Sequence, residues 1–187
     1  MMFLYDKNNH FNMANIVTFC NITAGILAIY FITHQEFFGA ALFAWLAGAF
    51  DILDGKIARK YNLSTEFGVQ LDSFGDFLSF VIVPVMFIYF GVIDGKEIYF
   101  LNTTFVAFVF IYYIISGLRR LIQFNLNTDA GTVSKYFTGV PTPLGAILLW
   151  LVYLAWTFEF IPNENIVLAL VIIVGYLLNS KVKIPHP

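Results

Sequence analysis

An all-α membrane protein that crosses the bilayer six times is the fold class that this sequence predicts. The 187-residue chain is 59% hydrophobic and only 12% charged, and its mean hydropathy is +0.78, whereas soluble domains carry about 25% charged residues. Continuous apolar runs, close to the roughly 20 residues that a spanning helix needs, occupy 16–33, 37–59, 66–91, 98–126, 141–160 and 165–180. Because these runs are continuous and do not alternate, they indicate helices and not barrel strands.

The placement of basic residues supports this count and predicts an orientation. With six crossings, nine of the ten lysines and arginines lie on the side that also holds both termini, and only Lys96 lies on the other. Basic residues concentrate on the cytoplasmic side of membrane proteins. We therefore expect both termini in the cytoplasm and the protein in the cell membrane.

Composition excludes several classes of function. The net charge of −2 excludes the basic surface of a nucleic-acid binder. A single cysteine, Cys20, excludes a disulfide framework and a cysteine-ligated metal site. Because the six runs use most of the chain, we expect one membrane domain over 1–187, with residues 1–12 as a short interfacial segment.

Four aspartates interrupt the apolar pattern of the second and third runs. Asp51 and Asp54 are three residues apart and share a helical face, and Asp72 and Asp76 are four apart and share another. Two helices joined by a short connection bring the pairs together near the cytoplasmic surface. Clustered carboxylates repel one another unless cations bind between them, and an all-oxygen site suits Mg²⁺ or Mn²⁺. Enzymes that catalyse displacement at phosphorus commonly use two such ions.

Small residues flank both acidic stripes. Gly55 and Ala58 lie on the Asp51 face, and Gly68 lies on the Asp72 face, which is the pattern wanted where a large ligand approaches a backbone. Two alternative roles for the aspartates stay open. In the first, the aspartates are helix-end residues solvated by lipid headgroups. In the second, they belong to a divalent-cation transporter, although acidic residues at only one end of the helices disfavour a pathway across the membrane.

The spacing of these residues carries a family resemblance. Eight fixed residues over 26 positions match the signature of the CDP-alcohol phosphatidyltransferases: Asp51, Asp54, Gly55, Ala58, Arg59, Gly68, Asp72 and Asp76. The resemblance implies that the first three aspartates hold two divalent ions, and that Asp76 also touches a metal and acts as general base. It implies that the small residues, Arg59 and the polar pair Asn15 and Thr18 serve the CDP-lipid. For Asn15 and Thr18 a helix cap is an equal alternative.

Three further stretches are similar to the integral-membrane phosphatidylserine synthases of bacteria and archaea. They are Asp72–Pro84, Arg120–Asn125 and Tyr136–Pro143. The resemblance implies transfer of a phosphatidyl group from CDP-diacylglycerol or CDP-archaeol to L-serine with release of CMP, and we expect a homodimer. Glycerol phosphate or inositol phosphate is the alternative acceptor.

One arginine is the candidate for recognising the acceptor. Arg120 could clamp the serine carboxylate with its planar fork, with Gln123 beside it. The branch usually has a second arginine where Gln123 stands. The alternative for Arg120 is an interfacial anchor that binds lipid headgroups.

Overall fold

The computed structural model describes residues 2–95, 103–129, 136–181 and 183–185. This part of the chain is mainly helical, as predicted, and its six principal helices are α1 Met13–Thr33, α2 Phe37–Lys60, α3 Glu66–Ile93, α4 Thr103–Asp129, α5 Thr142–Thr157 and α6 Glu164–Leu178. A short helix of 3₁₀ type, Met2–Tyr5, precedes them. The all-α prediction missed one small feature, an antiparallel pair of three-residue strands, β1 Tyr136–Thr138 and β2 Lys183–Pro185.

Four of the described helices, α1 to α4, are long and apolar enough to cross a bilayer. Helices α5 and α6 are also apolar but have only 16 and 15 residues. At 1.5 Å per residue they are about 24 and 22 Å long, which is less than the roughly 30 Å hydrocarbon core. The structure therefore gives four candidate membrane spans where the sequence predicts six.

Helix α5 is shorter than predicted because the chain turns before the apolar run ends. The run continues to residue 160, but the helix stops at Thr157 and Glu159 takes a positive φ of 61°. The amide of Phe160 donates to the Ala155 carbonyl at 2.9 Å, which closes the end of the helix. Gln35 after α1 and Asn62 after α2 have the same kind of positive φ, at 60° and 53°.

Polar caps set the beginnings of three helices. The side chain of Asn12 accepts a hydrogen bond from the Asn15 amide at the start of α1. Thr65 does the same for Gly68 at α3, and Asn163 for Ile166 at α6. Such caps satisfy amide groups that have no partner within the helix. Helix α1 therefore begins three residues before the predicted run.

The chain divides into two compact units, Met1–Ser79 and Phe80–Pro187. In the first unit, α1 packs against α2 and against the first turns of α3. The segment before α1 packs on the α2–α3 connection, with the Tyr5 ring 5.0 Å from that of Tyr61 and His10 stacked on Phe67 at 4.4 Å. A single domain over 1–187 and an interfacial position for residues 1–12 stay predictions.

Helix α3 changes its hydrogen-bonding pattern directly after Asp76. Glu66–Asp76 is α-helical, Phe77–Ile82 is π-helical, and α-helical geometry returns at Val83–Ile88. Pro84 has no amide hydrogen to give to the preceding turn, and its ring crowds the carbonyl there. A wider turn before the proline accommodates both effects.

The second unit packs α4 and α5 against α6. Its core contains the buried side chains of Tyr113, Leu149 and Leu168. Gly139 follows β1 with a φ of +91°, and an added side chain there would lie 2.7 Å from the Leu178 carbonyl oxygen. This close approach ties the segment before α5 to the end of α6.

Candidate active site

Three of the four aspartates form one cluster of carboxylates. Asp51 lies on the last turns of α2, and Asp72 and Asp76 lie on the first turns of α3. One oxygen from each lies within 4.8 Å of the others, and all three side chains are half-buried. The predicted meeting of the two acidic stripes is therefore present within the first unit.

Asp54 lies beside this cluster and is more buried, with only 4% of its surface exposed. It is close enough to interact electrostatically with Asp51, Asp72 and Asp76, although it does not share their tight grouping. Its carboxylate lies near the Thr18 hydroxyl of α1, which itself donates to the Ala14 carbonyl. Helix α1 therefore contributes a polar group to the site.

Two carboxylate oxygens in this group bear on what the cluster can bind. Asp54 Oδ2 and Asp76 Oδ1 are buried and have no hydrogen-bond partner. One oxygen of Asp51 and one of Asp76 lie within 4.8 Å of each other, and two negative groups at such a distance repel each other unless a proton or cation lies between them. Unpartnered buried oxygens in an all-oxygen set fit a hard divalent cation. The residues present therefore fit the metal that the sequence predicts, without fixing its identity or number.

Neither Asn15 nor Thr18 is the cap of α1, because Asn12 has that position. Asn15 Nδ2 donates to the His10 carbonyl at 3.0 Å, and its Oδ1 lies 2.9 Å from where a side chain on Gly68 would begin. Gly68 thus has a packing role between α1 and α3. Thr18 donates to the Ala14 carbonyl at 3.2 Å and faces Asp54.

The surroundings of Gly55 differ from those of Gly68. The nearest atoms that a side chain added at Gly55 would meet belong to the guanidinium of Arg59, with Nη1 at 3.4 Å. Arg59 is exposed and Ala58 is half-buried. The α2 side of the cluster therefore has space for a ligand beside a flexible basic side chain.

Sequence reasoning missed one polar residue next to the site, Asn21. Its Oδ1 accepts a 2.7 Å hydrogen bond from Ser79 Oγ on α3, and both residues are buried. The signal was present, because Asn15, Thr18 and Asn21 recur every three residues in an otherwise apolar helix. Three polar side chains on one face of such a helix indicate a polar neighbour.

The predicted acceptor residues lie on α4, in the second unit. Arg120 is 5% exposed, and its Nε donates to the Val140 carbonyl at 3.1 Å and its Nη2 to the Gly139 carbonyl at 3.3 Å. Gln123 is exposed. Arg120 therefore binds the segment before α5 and is not a residue at the surface that simply meets lipid headgroups.

Comparison with known proteins gives a consistent result. The family model described as CDP-alcohol phosphatidyltransferase matches residues 11–177. The CDP-diacylglycerol–serine O-phosphatidyltransferase of Bacillus subtilis is 30% identical over 173 residues, which cover 91% of this chain and 88% of the relative. That of Helicobacter pylori (strain ATCC 700392 / 26695) is 29% identical over 92% of this chain and 71% of its own.

An archaeal relative has a similar level of identity. The archaetidylserine synthase of Methanothermobacter thermautotrophicus is 29% identical over 176 residues, which cover 93% of this chain and 70% of the relative. Together with the family match over most of the chain and the aspartate cluster on α2 and α3, these relatives settle the classification. The chain belongs to the CDP-alcohol phosphatidyltransferase family.

Proposed function

We propose that this protein is a membrane-bound phosphatidylserine synthase. It transfers a phosphatidyl group from a CDP-lipid to the hydroxyl of L-serine and releases CMP. The observation that carries the proposal is the group of four aspartates with unpartnered buried oxygens, in a chain whose relatives are serine phosphatidyltransferases. Since those relatives include an archaetidylserine synthase, both CDP-diacylglycerol and CDP-archaeol are candidate donors.

Asp51, Asp54, Asp72 and Asp76 would hold two divalent cations, Mg²⁺ or Mn²⁺. When bound, the cations neutralise phosphate charge and align the pyrophosphate of the donor. The chain's own contribution is to keep four carboxylates together, which costs electrostatic energy until the ligand arrives. Thr18 on α1 adds a polar group beside Asp54.

Asp76 is the proposed general base. Its unpartnered Oδ1 is available to take the proton of the serine hydroxyl. The serine oxygen forms a bond to the phosphorus of the phosphatidyl group, and the bond from that phosphorus to the CMP oxygen breaks. CMP leaves with the electron pair of that bond.

The donor nucleotide lies, in this proposal, against Gly55, Ala58 and Arg59. The open space at Gly55 and the exposed guanidinium of Arg59 support contact with phosphate or cytidine. Asn15, Thr18 and Gly68 complete this part of the site, with Gly68 allowing α1 to approach α3.

The acceptor site includes Arg120 and Gln123. The two carbonyl bonds hold the guanidinium plane of Arg120 in one orientation, and a fixed guanidinium loses little freedom when it binds a carboxylate. Gln123, one turn further along α4, is exposed and can offer a neutral amide to the same substrate.

Release of CMP tests the activity directly. Purified protein in detergent is given CDP-diacylglycerol or CDP-archaeol with Mg²⁺ or Mn²⁺, and serine, glycerol phosphate or inositol phosphate is added in turn. We expect CMP release with serine. CMP release only with a phosphorylated alcohol would show that serine is not the acceptor. Divalent-cation flux into liposomes that contain the protein, without CMP release, would show a transporter and not an enzyme.

We also propose six membrane crossings with both termini and the active site at the cytoplasmic face. The split of basic residues supports this orientation, and α5 and α6 can cross if the bilayer thins locally. In a variant that lacks Cys20, Asp94→Cys should react with an impermeant thiol reagent from outside, and Tyr61→Cys should react only after lysis. Both native positions are exposed and lie at opposite ends of α3. The reverse pattern would invert the topology.

The quaternary structure in this proposal is a homodimer. Helix α2 exposes large apolar side chains at Phe38, Leu42 and Trp45, and this stripe suits lipid or a second copy of the chain. Native mass spectrometry from nanodiscs should give twice the mass of the chain, and a single-chain mass would leave the stripe to lipid.

A further inference from the structure

A buried hydrogen bond joins α1 to α3 one turn beyond the aspartate cluster. Ser79 Oγ donates to Asn21 Oδ1 at 2.7 Å, and the two residues are 4% and 0% exposed. Ser79 is three residues after Asp76, and Asn21 is three residues after Thr18, which faces Asp54. The bond therefore links α1, whose Thr18 lies near Asp54, to the helix that carries Asp76.

Packing around this bond leaves little freedom for the two helices. A side chain added at Gly75 would lie 3.1 Å from Asn21 Nδ2, and one added at Gly25 would lie 3.0 Å from Ser79 Oγ. Two glycines, one on each helix, thus let the polar pair meet. Asn21 Nδ2 itself has no hydrogen-bond partner, so the Ser79 bond is the interaction that fixes its side chain.

The position of Ser79 in α3 connects this hydrogen bond to the orientation of Asp76. Ser79 lies inside the π-helical turn Phe77–Ile82, which begins directly after Asp76. A π-turn contains one residue more than an α-turn. Its location along α3 therefore determines how the side chains before the turn are rotated relative to those after it. Anchoring Ser79 to α1 holds the turn in place and with it the direction of the Asp76 carboxylate.

We propose that Asn21 and Ser79 are positioning residues that orient Asp76 toward the divalent cations of the site. The inference rests on the proposed function. Groups that hydrogen-bond directly to metal ligands typically contribute 10- to 100-fold in metal affinity, and we assign Asn21 and Ser79, which act one contact further out, the lower end of this range. We therefore expect Asn21→Ala and Ser79→Ala each to weaken Mn²⁺ binding by about 10-fold.

Titration with Mn²⁺ alone tests the proposal without any substrate. The EPR signal of free Mn²⁺ reports binding to the purified full chain in detergent, and CMP release gives the apparent metal activation constant in parallel. If the two residues act through one bond, the double variant should bind Mn²⁺ no more weakly than either single variant. A smaller folded fraction would lower the number of sites and leave the binding constant unchanged.

Thr23→Ala is the matched control, because it removes an exposed hydroxyl of α1 that bonds only within the helix, to Phe19. Ser79→Cys keeps the shape of the side chain, with a slightly larger atom and a weaker donor, and replaces Ser79→Ala should that variant not fold. Wild-type Mn²⁺ binding in the folded Asn21 and Ser79 variants would overturn the proposal. Absence of CMP release from the wild type would instead overturn the proposed function.

Discussion

In Met1–Ser79 two buried carboxylate oxygens, on Asp54 and Asp76, have no hydrogen-bond partner, whereas in Phe80–Pro187 the buried guanidinium of Arg120 donates to two backbone carbonyls. Burying a charge is costly unless it is paired or hydrogen-bonded. In the first unit these two carboxylate oxygens have no hydrogen bond that offsets the cost. In the second unit the protein offsets much of it with its own backbone.

This difference separates two uses of a charged residue in a membrane helix. In the sequence both Asp76 and Arg120 are charged residues within apolar runs. Their contacts differ: Asp76 Oδ1 has no hydrogen-bond partner, while Arg120 holds the segment before α5. A variant of each residue should therefore change different measured quantities.

The largest effect is expected from Asp76→Asn. The substitution removes the negative charge and the base while it keeps the shape, so CMP release should fall by at least about 100-fold. The melting temperature without divalent cations should not fall, because an unsupported charge has been removed from the site. A lower melting temperature with retained activity would show that Asp76 serves stability and would contradict the comparison.

Arg120→Lys should have the next largest effect. Lysine keeps the charge but loses the planar fork, and loss of one charge-assisted hydrogen bond costs roughly 1.5–3 kcal/mol. The KM for serine should rise about 10- to 150-fold at 1.4 kcal/mol per decade, with little change in the KM for CDP-lipid. The melting temperature should also fall, since the bonds to Gly139 and Val140 are disturbed. A lower melting temperature with an unchanged KM for serine would show that Arg120 holds the segment before α5 and does not bind serine.

Gly139→Ala should destabilise the second unit. The left-handed conformation at φ +91° costs roughly 1–2 kcal/mol for a residue with a side chain, and the new methyl group would approach the Leu178 carbonyl to 2.7 Å. We expect a loss of at least about 2 kcal/mol in denaturant unfolding in mixed micelles. An unfolding free energy equal to that of the wild type would mean that the segment around residue 139 shifts away from Leu178 at no cost in stability.

Gly55→Ala is the counterpart in the first unit and should give the smallest effect on stability. The nearest atoms to the added methyl group belong to the Arg59 side chain, so the unfolding free energy should change little. The KM for CDP-lipid should rise several-fold, because the methyl group occupies space that the proposal gives to the nucleotide. An unchanged KM would place the nucleotide elsewhere.

The sequence predicts the long helices and the aspartate cluster well, for identifiable reasons. The predicted run 37–59 and the observed α2 differ by one residue. The apolar run is strong, and loop residues mark where it begins and ends. The fixed spacing of Asp51 and Asp72 places both on helix faces that a short connection brings together. Patterns of neighbouring residues are therefore sufficient to predict features that depend on neighbouring residues.

Features that depend on distant contacts were not predictable in this way. The donors of Arg120 bind carbonyls about 20 residues away, and the partner of Asn21 is 58 residues away. Helix α5 ends inside an apolar run because the backbone reverses at Glu159, which composition does not reveal. The π-turn after Asp76 likewise depends on hydrogen-bond geometry around Pro84 that residue type only suggests.

The reversals at Gln35 and Glu159 have a practical consequence for anyone who purifies this protein. Each of these residues has a side chain in a conformation that glycine adopts without strain. Replacement by glycine should relieve roughly 1–2 kcal/mol of strain and cost roughly 0.5–1 kcal/mol in chain entropy. Gln35→Gly with Glu159→Gly is thus a route to longer survival in detergent, at two sites remote in sequence from the aspartates.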